Sequence, residues 1–212
     1  IALDSAGNVY VAGTTSSPDF PVTSGAYDTA HYGTAEDVFI SVLDATLSTL
    51  LHSTFLGASE SDRAQAIALD SEGKVYIAGL TGSNYFPVTA GAYDTTYTGG
   101  DLFISVMDPT LSTLHYSTFL GGTGMQETSA LALDDNDNVH LIGYTNASDF
   151  PTTSEAYDQS HAHPDPLDYG YDTFVSVLDP TLANLRYSTF LGGSGGDWAY
   201  DLALGDTGNL HL

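Results

Sequence analysis

The sequence predicts an all-β protein built from repeated four-stranded antiparallel meanders, and three observations carry the prediction. The phrase IALDSAGNVYVAG from Ile1 to Gly13 returns from Ile67 to Gly79, from Leu131 to Gly143, and once more from Leu202 onward. That is self-similarity at a period of about 65 residues, the mark of an array of like supersecondary units. Each unit holds short runs rich in Val, Ile, Tyr and Phe, and none of them has helical spacing. Gly, Asp, Ser and Pro separate the runs, as turns between strands require.

In the first unit the runs are Ile1–Asp4, Asn8–Gly13, Val38–Leu43 and His52–Gly57. A tight hairpin, Asp4-Ser5-Ala6-Gly7-Asn8, joins the first two, with Gly7 suited to a positive φ. A long excursion from Ser17 to Asp37 leads to the third. Turns opening at Asp44, Asp108 and Asp179 join the third run to the fourth in successive units. The third run is apolar on both faces, as expected of sheets stacked against sheets. Four strands per unit, stacked radially, is the β-propeller. The blades then span residues 1–66, 67–130 and 131–201, the last with an insertion at 160–169, and 202–212 open a fourth. The chain holds about 3.2 blades, against four to eight in closed propellers. Ile1 opens inside a repeat without an initiator Met, so a segment of a longer or processed product is expected.

Composition narrows the function. There are 27 acidic residues against three basic ones, Arg63, Lys74 and Arg186, for a formal charge of −24. No basic patch exists to displace phosphate counterions, so nucleic acid and anionic membranes are not expected partners. Asp dominates the acids, which suits turns, caps and cation ligands. With no Cys, disulfides and thiolate chemistry are impossible. No apolar run reaches the ~18 residues of a membrane helix.

The frame Thr54-Phe55-Leu56-Gly57, Asp62, Ile67-Ala68-Leu69-Asp70, Gly73-Lys74-Val75-Tyr76, Gly79, Thr81 and Phe86-Pro87 resembles the SBBP β-propeller repeat. Its opening recurs at Thr118–Gly122 and Thr189–Gly193. The chain departs from the frame at Gln126, where Asp62 and Asp197 stand in the other units, at the Asp-Asn-rich turn near Asn138, and at Gly205. The resemblance implies a propeller of secreted or cell-surface proteins of bacteria and archaea, often one module among several. It implies no catalytic residues.

Several clusters could carry chemistry. Asp134, Asp135, Asn136, Asp137 and Asn138 offer the clustered oxygens of a calcium site, or an Asx-stabilised hairpin turn. Asp37, Asp101 and Asp172 each precede a third strand; they either ring a cation or channel mouth, or cap backbone N–H groups of a neighbouring loop. Phe20, Phe86 and Phe150, each followed by Pro and then by Ala-Tyr-Asp, suggest a sugar-binding surface or a wedge between blades. His161 and His163 in the insertion form a candidate transition-metal pair, or belong to a Pro-stiffened surface loop. His140 and His211 fill the slot of Tyr10 and read as structural. Asn146-Ala147-Ser148 is a glycosylation acceptor sequence, relevant in a secreted chain.

No P-loop, nucleophile elbow, dinucleotide fingerprint or zinc-hydrolase helix is present. The expectation is a non-enzymatic extracellular structural or adhesive protein that assembles through blade faces, with copies of itself or further blades as partners. The alternative is a glycan-binding module of a larger surface protein. An enzyme is the third reading, with a non-repeated carboxylate such as Glu127 or Asp168 indispensable. Calcium is the one cofactor that the acidic surface suggests.

Overall fold

The computed structural model describes residues 1–162, 170–205 and 209–211. Three four-stranded antiparallel sheets follow one another along the chain, each a simple meander. The first contains β1 (Ala2–Leu3), β2 (Val9–Thr15), β3 (Asp37–Leu43) and β4 (Leu50–Leu56). The second contains β5 (Asp62–Leu69), β6 (Val75–Thr81), β7 (Asp101–Met107) and β8 (Leu114–Leu120). The third contains β9 (Gln126–Leu133), β10 (Val139–Thr145), β11 (Asp172–Leu178) and β12 (Leu185–Leu191). A two-stranded hairpin, β13 (Ala203–Leu204) and β14 (Leu210–His211), begins a fourth. No helix occurs among the described residues. These are propeller blades, and the first strands of successive blades lie side by side on the inside of the array.

The opening strands β5 and β9 begin at Asp62 and Gln126, five residues ahead of the repeated phrase. A register shift between Ala64 and Ala66 interrupts the pairing of β5 with β6, and a matching one lies between Ile142 and Gly143. Here the partner must be glycine, because a Cβ on Gly79 or Gly143 would collide with the carbonyl oxygen of Arg63 or Glu127.

The outer edge of each blade is covered by its own long loop. Thr23 N donates to Ser53 O and Phe55 N to Asp28 O, and the same bonds recur as Thr89–Ser117 with Phe119–Asp94, and Thr153–Ser188 with Phe190–Asp158. An exposed strand edge is thereby occupied.

Two apolar clusters form the core, one at each seam between complete blades. At the first seam Val38, Ile40 and Val42 meet Val75, Ile77, Phe86, Phe103 and Phe119; at the second Leu102, Ile104 and Val106 meet Val139, Leu141, Phe150, Phe174 and Phe190. The third strand therefore buries both faces, β7 along its whole length. Phe86 packs 4.4 Å from Phe103, and Phe150 lies 4.5 Å from Phe174, so the Phe-Pro loops wedge into the seams. Phe20 repeats the contact with Phe39 on the outer face of the first blade.

Each seam has a plug that the sequence did not announce. Leu47, Leu111 and Leu182, in the turns between third and fourth strands, share a left-handed backbone with φ of 58°, 55° and 56°. Such a conformation costs a non-glycine residue roughly 1–2 kcal/mol. Leu111 and Leu182 are fully buried, whereas Leu47 is 61% exposed. The carbonyl of Leu111 accepts from Tyr27 N of the preceding blade, and that of Leu182 from Tyr93 N, both at 2.8 Å. The strain is offset where the side chain fills a seam. Leu111→Gly is therefore expected to lower the urea unfolding free energy by about 2–4 kcal/mol through cavity formation. Leu47→Gly is expected to leave it unchanged or raise it by up to about 1 kcal/mol. Equal effects of the two substitutions would refute the seam-plug account.

Candidate functional site

Asp37, Asp101 and Asp172 open the third strands and are buried. Each uses one carboxylate oxygen to cap the loop before it: Asp37 Oδ2 accepts from Tyr32 N at 2.8 Å, Asp101 Oδ2 from Thr98 N at 2.6 Å, and Asp172 Oδ2 from Ala162 N at 2.7 Å. Each also faces the first residue of the next blade across a glycine. A Cβ built on Gly57 would sit 3.0 Å from Asp37 Oδ1 and 2.8 Å from Asp62 Oδ2. On Gly192 it would sit 2.6 Å from Asp172 Oδ1 and 3.0 Å from Asp197 Oδ2. In these two seams a carboxylate from each blade thus flanks the glycine, and a Cβ would crowd both.

The middle seam differs. There Gln126 replaces the second carboxylate; its Nε2 donates to Gly100 O at 2.9 Å and Gly122 O at 3.2 Å, while Asp101 Oδ1 accepts from the Thr98 hydroxyl at 2.6 Å. In the two Asp–Asp seams, Oδ1 of Asp37 and of Asp172 is buried without a hydrogen-bond partner. Asp62 is better served, accepting from the Thr81 hydroxyl, Ala58 N and the Ser83 hydroxyl. Burial raises the pKa of Asp37, Asp62 and Asp101 above the ordinary carboxylate value in spite of these donors.

The Asp134–Asn138 segment is an Asx turn. Asp134 Oδ1 accepts from Asn136 N and Asn138 N, and Oδ2 from Asn138 Nδ2 at 2.8 Å, with His140 Nε2 3.3 Å away. Asp4 does the same with Ala6 and Asn8, and Asp70 with Glu72 and Lys74. Burial acts to raise the Asp134 pKa, but the Asn138 amide and the turn N–H groups outweigh it and hold it below the usual value. A calcium ion ligated by this carboxylate would have to displace those donors. Asp137 takes the left-handed place that Gly7 and Gly73 hold in the other units, with φ of 59°. Among the described residues no three His, Cys, Asp or Glu side chains gather where a metal could be held.

His161 turns out to be a repeat residue. Its Nε2 lies 3.2 Å from Thr145 O and its ring meets Phe190 edge-on at 5.6 Å. His31 makes the same two contacts with Thr15 O and Phe55, also at 3.2 and 5.6 Å. Tyr97 occupies the slot in the second blade, donating its hydroxyl to Gly82 O. The ring of His161 thus locks the outer loop to its own blade. His163 and Asp168 lie outside the described residues. Glu127 accepts from the Tyr144 hydroxyl at 2.9 Å and from Gln65 Nε2 at 3.2 Å. Burial and this carboxylate together push the Tyr144 phenol up to about 12.

One cavity was not anticipated. A space of about 380 Å³ opens at the first seam among Tyr27, Tyr32 and Tyr85. In the sequence Tyr27 stands out only as part of the repeated Ala-Tyr-Asp. Tyr85 opens the repeated Phe-Pro loop and Tyr32 carries no motif; the signal of both is that each is aromatic in one unit alone.

Stacked four-stranded meanders with inner first strands define a protein of the β-propeller repeat class. Within that class, the model of the SBBP beta-propeller repeat matches residues 1–21, through the first hairpin to Phe20-Pro21. A comparison with curated proteins finds no match.

The seam carboxylates have a signed pH consequence. A carboxyl whose pKa is raised by folding lends stability below its unfolded pKa and loses it as pH rises through the folded value. Asp37 belongs to this group. Asp108, Asp134 and Asp179 have lowered values, so their contribution is present above the unfolded pKa and fades as pH falls. Asp37→Asn keeps an oxygen for Tyr32 N and turns an N–H₂ toward Asp62. It is expected to stabilise the chain by about 1–3 kcal/mol at pH 7, with the gain vanishing below the ordinary carboxylate pKa. Thermal melts of both proteins from pH 3 to pH 7 read this directly; a loss of stability at pH 7 would overturn it.

Proposed function

We propose that this chain is a non-enzymatic structural and adhesive propeller of the cell exterior, assembling through its blade faces into a surface layer, sheath or filament. The observation that carries the reading is the seam joint. The Tyr–Leu contact recurs with the same 2.8 Å bond at both complete seams. Leu47, which holds the accepting half on the outer face of the first blade, stands open. Leu3 on that face is exposed as well. A face shaped to receive a blade of this repeat favours a heterologous, head-to-tail contact, which closes as a ring or continues as a filament. The charge of −24 keeps isolated chains apart and soluble at low ionic strength, and external salt screens it. The extracellular location rests on the repeat resemblance and the acidic composition.

Glu127, the carboxylate an enzymatic reading would need, accepts through Oε2 from Tyr144 and Gln65. A ligand-binding role has its own support in the tyrosine-lined cavity. Assembly predicts particle masses well above the 22.3 kDa of the chain by light scattering in physiological salt, and a marked drop for Leu47→Glu. A 22.3 kDa monomer at all concentrations would refute assembly for this chain.

A further inference from the structure

We propose that the first seam binds a neutral saccharide in the cavity among Tyr27, Tyr32 and Tyr85. The cavity lies where two blades meet. Tyr27, Asp28 and Tyr32 come from the outer loop of the first blade, Tyr85 and Pro87 from the Phe-Pro loop of the second, and the connection through residues 57–59 completes it. Its volume of about 380 Å³ falls in the ~300–1,000 Å³ range of small-ligand sites. Both flanking blades are complete four-stranded sheets.

The repeat itself separates what the fold needs from what this seam adds. Tyr32, Thr98 and Ala162 are equivalent, because the backbone N–H of each donates to the Asp that opens the third strand. Tyr85 stands before Phe86 where Asp19 and Asp149 precede Phe20 and Phe150. Thr, Ala and Asp therefore satisfy the fold at these positions, and the aromatic rings are private to the first seam. Packing does not account for them either: Tyr85 is 80% exposed and Tyr32 44%. What sets them apart from scattered exposed tyrosines is that they gather with Tyr27 at one cavity mouth, and a clustered aromatic surface of this kind marks a contact site.

The chemistry selects the class of ligand. A pyranose offers an apolar C–H face to aromatic rings and hydroxyls at its edge. The cavity supplies the rings together with phenol donors and acceptors, the Asp28 carboxylate and Ser59. Asp28 beside Tyr32 raises that phenol's pKa and engages its proton, which leaves the neutral phenol oxygen as an acceptor for a sugar hydroxyl. No Lys, Arg or His lines the cavity, so uronates and sulfated sugars find no counter-charge, and the overall −24 opposes them. A proline-rich peptide also stacks on tyrosine, but its extended helix needs a groove with successive slots. A single compact space suits one or two sugar rings better.

The site does not depend on the assembly proposed above, and the two fail separately: light scattering reads one, ligand titration the other. The intact chain would be titrated calorimetrically with cellohexaose, chitohexaose and mannohexaose, with a polygalacturonate oligomer, and with a proline-rich decapeptide. Saturable binding of at least one neutral hexasaccharide at one site per chain is expected. Tyr85→Asp and Tyr32→Thr, which install residues the chain already uses in the equivalent slots, should each weaken it about tenfold or more. Tyr157→Ala, an exposed tyrosine of the third blade, should leave it unchanged. Circular dichroism of each variant confirms that the fold is kept. Absence of neutral-sugar binding up to roughly 10 mM, binding of the peptide alone, or sugar binding that survives both substitutions would overturn the site.

Discussion

The seam between blades is the interaction on which everything else depends. A single four-stranded meander has two apolar faces and no means of burying either alone. Stacking solves this twice over, since one third strand such as β7 serves the seams on both of its sides. The Phe wedges and the left-handed Leu plugs are residues whose cost is recovered only when a neighbouring blade is in place. Leu shows this most simply: it adopts the same strained backbone in three turns, and the strain is matched by burial in the two that have a preceding blade as seam partner.

Much of the fold was legible because strand and turn chemistry repeat in register. Runs of Val, Ile and Phe between Asp-rich turns leave little choice of element. The first residues of β5 and β9 were less visible, because Arg63, Gln65 and Glu127 are polar and the bulge breaks the alternation that would mark a strand. The left-handed Leu had no signal in sequence at all, since nothing in Asp-x-Thr-Leu demands a positive φ of a branched residue.

The candidate site was legible in part, and the misses have physical causes. His161 looked private because the insertion after it lengthens the route to Asp172. Its distance from Ala156-Tyr157-Asp158 nevertheless equals that of His31 from Ala26-Tyr27-Asp28, and this spacing could have identified it. Asp37 and Asp101 could be assigned to capping or to a cation from sequence alone; only geometry shows the capping bonds and the facing residue across the glycine. Tyr32 and Tyr85 lie far apart along the chain and meet only because one blade's outer loop reaches the next blade's Phe-Pro turn. No spacing rule within a unit connects them.

The uniformity of the seam has a consequence for how such chains change over time. Tyr27 meets Leu111 and Tyr93 meets Leu182 through the same bond, so a unit placed between any two others finds compatible neighbours on both sides. Duplication or loss of a whole unit preserves every remaining joint, because interactions in such arrays reach only to the nearest neighbour. Array length thus becomes a quantity that recombination can alter in single steps, while a private feature such as the tyrosine pair stays tied to one junction and is copied or lost with it.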